Sequence, residues 1–242
     1  MSITATTSAR PEATTPESVR TTGTIRTARI TGLLYLGLAI TGLFGMLMVR
    51  NQLFVAGDPA ATLANLTRQT TLARVGNVTE MGVVITQALV ALWFYRLFKS
   101  VNAFAAGSIA AFGMVNAVAI LVSAAVLATA LDVSQDATLT VSVGAAATAQ
   151  LLYVVSGHLW TIGGIFFGLW LIPMGWLARA SGWMPSLLGW ILMISGFGYI
   201  ANALLIYLLP NPGQAVELLV MPASVGELWI VAYLCLRGVR RP

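Results

Sequence analysis

Three side chains in otherwise apolar stretches have the chemistry to exchange a proton or hold an ion: Glu80, His158 and Glu227. His158 is the only histidine of the chain, and it stands in SGHLWTIGGIFFGLW, a segment otherwise suited to hydrocarbon. An ionisable group in such a place is costly and normally faces a partner inside the protein. A neutral imidazole beside an ionised carboxylate shares a proton with it, and the titration then belongs to the pair. Asn77, Gln87, Asn116 and Asn202 add neutral polarity. At about 100° per residue, Asn77, Glu80 and Gln87 fall within about 80° of one another and give one polar helix face. These positions predict a ligand-binding pocket of Glu80, His158, Asn202 and Glu227, with Asn77 and Gln87 beside it. One His with two Glu is also a donor set that a divalent metal takes, although no HExxH-type spacing accompanies it. Neither a P-loop, a GxSxG element nor a Cys-His pair occurs. Lys99, the single lysine, falls at the end of a span and so is out of place for a Schiff base. The sequence thus implies no catalytic residue and no cofactor.

The elements that must position these groups are membrane helices. Of the 242 residues, 58% are hydrophobic and 9% charged, against about a quarter charged in soluble domains. Runs longer than about 18 apolar residues mark spanning helices, which satisfy their own backbone groups in lipid. The pattern predicts an all-α, six-span bundle over 28–237, with spans near 30–49, 73–98, 104–131, 151–178, 186–209 and 216–236. Residues 1–27, rich in Thr with Pro, Arg and Glu, read as a disordered tail, and 238–242 as a basic C-terminus. Asp58-Pro59 predicts a helix start, cap then first turn, for a short interfacial helix. The stretch 137–150 reads as an interfacial or re-entrant lead-in to the fourth span, or as part of that span. Six spans leave ten Lys and Arg on one side and only Arg50, Arg68 and Arg74 on the other. By the positive-inside rule both termini are then cytoplasmic. Glu80 and His158 fall about seven residues, roughly 10 Å, below the outer surface at 1.5 Å per residue. Asn202 lies level with them and Glu227 somewhat deeper.

Lipid removes the hydrophobic drive between helices, so small residues mark close approach. Gly157, Thr161, Gly164, Gly168 and Gly175 share one face of the fourth span and predict a packing seam. Trp93, Trp160, Trp170, Trp176, Trp183 and Trp229 recur near span ends or packing faces, where most would serve as interfacial anchors. The excess of arginine, twelve against one lysine, points to membrane orientation and anionic headgroups rather than to nucleic acid. Cys235, the lone cysteine, forms no intrachain disulfide.

The segments ARITGLLYLGLAITGLFG (28–45), GHLWTIGGIFFGLWLIPMGW (157–176) and MPASVGELW (221–229) resemble a bacterial membrane family catalogued as domain of unknown function 4386. The similarity covers about 26–237 and implies a polytopic inner-membrane protein without an assigned activity. The function expected is non-catalytic binding, transport or sensing through the polar pocket. Alternatives are an intramembrane metal-dependent enzyme acting on a lipid-like substrate, or a structural assembly subunit. The partners expected are the lipid bilayer, a small ligand or ion, and a second copy or another membrane protein.

Overall fold

The computed structural model describes residues 16–140 and 144–240. Helix α1 covers Pro16–Leu43 and runs on through a π-helical stretch, Phe44–Arg50, and a last turn, Asn51–Leu53. A short helix α2 (Pro59–Arg68) precedes α3 (Thr70–Phe98), α4 (Ala103–Gln135), α5 (Ala145–Ala180) and α6 (Ser186–Leu208). Two short turns, Gln214–Glu217 and Leu218–Val220, lead into α7 (Met221–Leu236). No strand occurs among the described residues. Six of these helical segments are long and apolar enough to cross a bilayer. Six crossings put the start of α1 and the end of α7 at one end of the bundle, here the terminal end. The connections around α2, around Asp136 and between α6 and α7 gather at the opposite, loop end.

Two boundaries differ from expectation. Residues 16–27 of the expected tail are helical, because no proline interrupts 17–43 and each added residue of an existing helix gains a hydrogen bond. Residues 1–15 lie outside the described residues. The expected lead-in is half absorbed by α5, which starts at Ala145. Only Ala137–Thr140 forms a separate 3-10 turn. Before it, Asp136 accepts from the Thr138 hydroxyl at 2.6 Å and from the Thr138 amide at 2.8 Å, and these bonds hold its carboxyl below the usual range.

The start of α2 follows the sequence: Asp58 Oδ1 accepts from the Ala61 amide at 2.9 Å, with Pro59 in the first turn. Its buried Leu66 packs with Leu53, Ala73, Leu131 and Tyr153 at the loop end.

The helices close into a ring. α1 packs on α3, α3 on α4, α4 on α5, α5 on α6, α6 on α7, and α7 back on α1. Apolar packing falls into two clusters. The larger fills the terminal end around Tyr35, Phe94, Leu171 and Trp170, and the smaller lies at the loop end. Trp170 is fully buried here, so this tryptophan is a core residue and not an anchor.

The glycine face of α5 does form a seam, with α6. A Cβ on Gly168 would lie 2.5 Å from the Gly196 carbonyl oxygen, and one on Gly196 would lie 2.6 Å from the Gly168 carbonyl. Gly175 and Gly189 repeat the reciprocal contact. Gly168→Ala or Gly196→Ala must push two backbones apart and is expected to cost about 1–3 kcal/mol. Gly42→Ala, where a Cβ meets nothing within 4 Å, is expected to be neutral or to stabilise by up to about 1 kcal/mol through helix propensity. Denaturant titration in detergent micelles checks the contrast.

Candidate functional site

A polar layer separates the two apolar clusters. Along α3, Glu80 falls between Ala73 of one cluster and Val83 of the other. Along α4, Ser123 falls between Leu127 and Ile120. Along α5, Ser156 and Trp160 fall between Tyr153 and Trp170. Arg50, in the last turn of the π-helical stretch, completes the layer from α1. The wider π turn re-aims side chains, and such turns often sit at sites with a special demand.

Glu80 is 6% exposed and receives from every side. Arg50 Nη2 lies 3.4 Å from Oε1 as an ion pair. Trp160 Nε1 donates to Oε1 at 3.1 Å and reaches Oε2 at 3.4 Å. Ser123 Oγ donates to Oε2 at 3.1 Å. Arg50 Nη2 also donates to Ser156 Oγ at 2.6 Å, and the two serine hydroxyls lie 2.7 Å apart. Each hydroxyl has one proton. Since Ser123 gives its proton to Glu80, Ser156 must donate to Ser123. The bonds therefore run one way, from Arg50 through Ser156 and Ser123 to Glu80. Guanidinium and carboxylate are linked both directly and through two hydroxyls, which satisfies a charge pair that would otherwise be costly to bury.

A cavity of about 20 Å³ opens against this layer, lined by Arg50, Asn77, Glu80 and Tyr153 among apolar Gly45, Val49, Leu53 and Leu127. That is room for about one water-sized group. Arg50 lines the cavity, and its Nε and Nη1 make no hydrogen bond among the described residues, so the guanidinium retains donors.

The expected pocket is thus partly assembled. Glu80 stands at its centre and Asn77 lines the cavity. His158 does not meet a carboxylate: its Nδ1 lies 2.7 Å from the Tyr207 hydroxyl, on an exposed side of α5 near the end of α6. The reason is azimuth. Ser156 and Trp160 are four residues apart and share a face, whereas His158 is about 200° round the helix from Ser156 at 100° per residue. Glu227 is half-buried and faces Tyr35 and Tyr199, because the ring places α7 between α1 and α6 and away from α3. The Tyr35 hydroxyl is buried and makes no hydrogen bond of regular geometry. Asn202 donates to the Val216 carbonyl at 2.8 Å and so ties down the α6–α7 connection rather than joining a pocket. Gln87 is fully buried, two turns from Glu80 towards the terminal end, with neither amide atom bonded among the described residues. No three His, Cys, Asp or Glu side chains gather as a metal set among the described residues. The one-His, two-Glu set is therefore not assembled.

The sequence reading missed Arg50, Ser123, Ser156 and Trp160. Arg50 was assigned to the loop, yet no breaker follows it before Gly57, so the helix could carry it onward. It is also the cation nearest in depth to Glu80 once α1 and α3 run antiparallel.

Six apolar helices closing on a buried ion pair define a multi-pass helical membrane protein. The family follows from the sequence: residues 30–238 match the family described as Domain of unknown function (DUF4386), and the chain belongs to it. No curated protein and no solved structure matches the chain.

Proposed function

We propose that the protein is a non-catalytic binding, transport or sensing protein whose ligand docks at the Arg50–Glu80 layer. The observation that carries this is the guanidinium of Arg50, which lines the cavity and, among the described residues, is bonded only through Nη2. Such a group takes an acceptor: a small anion, or the carboxylate or carbonyl end of an amphiphile. The cavity admits only one small group beyond its mouth, and its apolar wall suits a hydrocarbon neighbour. Chain placement is proposed as a bacterial inner membrane with both termini cytoplasmic. Drawing Arg50 into the ion pair leaves, among the described residues, Arg68 and Arg74 as the unpaired basic residues at the loop end, which sharpens the charge asymmetry.

The test uses the double variant Arg50→Gln/Glu80→Gln, which removes both charges together and leaves hydrogen-bonding groups in place. Chloride, phosphate, acetate and decanoate are each added to purified protein in neutral detergent during thermal unfolding. At least one is expected to stabilise the wild type, by about 2.7 kcal/mol when present at a hundred times its Kd, and not the double variant. Equal responses from both proteins to all four probes would reduce the layer to a packing element.

A further inference from the structure

A second cavity, of about 330 Å³, lies at the terminal end, far from the polar layer, and is lined by Pro185, Trp229, Ala232, Tyr233, Leu236 and Arg237. Its volume falls within the roughly 300–1,000 Å³ of small-molecule sites. Its shape follows from the sequence. Residues 229, 232, 233, 236 and 237 recur at helical spacing and form one face of α7. Ala232 makes the hollow, and the flanks Trp229 and Leu236 stand one turn to either side. Pro185, just before α6, closes the opposite wall.

The floor is fixed. The Trp183 carbonyl accepts from the Tyr233 hydroxyl at 2.9 Å and from the Arg240 amide at 3.1 Å. These bonds bind the C-terminal segment and α7 to the turn between α5 and α6. From Trp229 to Arg237 the trough runs about 12 Å at 1.5 Å per residue, most of one leaflet's roughly 15 Å of hydrocarbon.

Charge is distributed along the same axis. Arg237 caps the trough, exposed and with no side-chain hydrogen bond or ion pair among the described residues. Arg240 follows it, and Arg179 lies nearby, bonded to Ser186 at 3.1 Å and stacked on Trp190 at 4.0 Å. Asp58, Asp132, Asp136 and Glu217 lie at the loop end and Glu80 in the polar layer, while Glu227 lies on α7 between Ala223 and Ile230 of the terminal cluster and Glu17 in the first turn of α1. A positive head over an apolar trough perpendicular to the membrane plane matches a phospholipid standing in its leaflet, and basic pockets between helices favour anionic headgroups.

We propose that this groove binds one anionic phospholipid, with the phosphate on Arg237 and an acyl chain along Ala232 towards Trp229. Free phosphate could use the head of the site but not the trough. Neutral phospholipid could use the trough but gains little at the head.

The probes are dioleoylphosphatidylglycerol and dioleoylphosphatidylcholine, titrated separately into the full chain in a neutral detergent and read by native mass spectrometry. Phosphatidylglycerol is expected to bind the wild type more tightly than phosphatidylcholine. Arg237→Gln should weaken phosphatidylglycerol binding about five-fold, as expected for one basic side chain at an anionic lipid surface, and leave phosphatidylcholine unchanged. Arg237→Lys should restore most of that loss. Ala232→Phe, at an exposed position, should fill the trough and weaken both lipids with the melting temperature of lipid-free protein unchanged. Equal affinity of the wild type for both lipids would overturn the proposal. So would unaltered phosphatidylglycerol binding in Arg237→Gln or Ala232→Phe. A shift from dimer to monomer in Ala232→Phe with lipid binding intact would assign the groove to a second copy instead.

Discussion

Glu80→Ala is expected to destabilise the fold by about 3–5 kcal/mol, the cost of removing one member of a buried charge pair. The substitution leaves the Arg50 guanidinium, whose side chain is 14% exposed, without its counter-charge. It also strips the acceptor from Trp160 Nε1 and Ser123 Oγ, and each donor left unmatched in a dry site adds a desolvation penalty. Glu80→Gln should cost distinctly less, since its amide oxygen can still accept from Trp160 or Ser123. Arg50→Gln alone strands the carboxylate, but the Ser123 hydroxyl and the Trp160 indole still donate to it. The double variant Arg50→Gln/Glu80→Gln should therefore lose less than the sum of the single changes, by about 1–3 kcal/mol of coupling. Denaturant unfolding in one detergent, for all four proteins, measures the cycle. Strict additivity would mean that the ion pair contributes nothing and that the serine relay alone holds the layer.

That cycle also marks the boundary between what each span encodes by itself and what only the assembled bundle sets. Depth is encoded locally: residue number along a span gives a level at 1.5 Å per residue, and so Glu80 was recognisable as a buried acid. The helix starts at Asp58-Pro59 and the breaks around Pro185 and Gly213 are equally local. Azimuth and helix order are not. His158 and Ser156 are two residues apart, at almost the same level, but face opposite ways. Ionisability points to His158, while the serine carries the network. Glu227 is likewise sufficiently deep, yet the ring seats α7 against Tyr35 of α1 and Tyr199 of α6. No single span contains the information that α7 and α3 are not neighbours. Arg50 was hidden for a third reason. Charge counting assigns a residue at the end of an apolar run to the aqueous side, and a π-helical turn that carries it inward has no sequence signature.

The largest effect in the terminal half is expected at Trp170. Its ring lies 5.9 Å from both Tyr35 and Phe94 and 5.7 Å from Phe167, and it is fully buried where the ring of helices closes. Trp170→Ala would leave a void that rigid helices cannot collapse into, at about 3–5 kcal/mol. Gly113 explains why the tryptophan fits: a Cβ there would lie 2.5 Å from Trp170 Cε3 and 2.8 Å from the Ala91 Cβ. Gly113→Ala is accordingly expected to cost about 1–3 kcal/mol by overpacking. Trp170→Phe should be milder than Trp170→Ala for two reasons. It keeps an aromatic ring against Tyr35 and Phe94, and it removes an indole N–H that is buried without a partner among the described residues. Combining Trp170→Phe with Gly113→Ala should then relieve the clash, so that the pair together costs less than the two changes measured separately. Unfolding of the four variants, with a cysteine accessibility assay from each end of the bundle, separates packing from sealing. If the aromatic cluster also closes the path between the polar layer and the terminal end, Trp170→Ala should expose a reporter cysteine at buried Ala91, in a Cys235→Ser background, to reagent from the loop end. Trp170→Phe should keep that position protected. A Trp170→Ala protein that folds and stays sealed would show that Phe94, Phe167 and Tyr35 close the bundle without it.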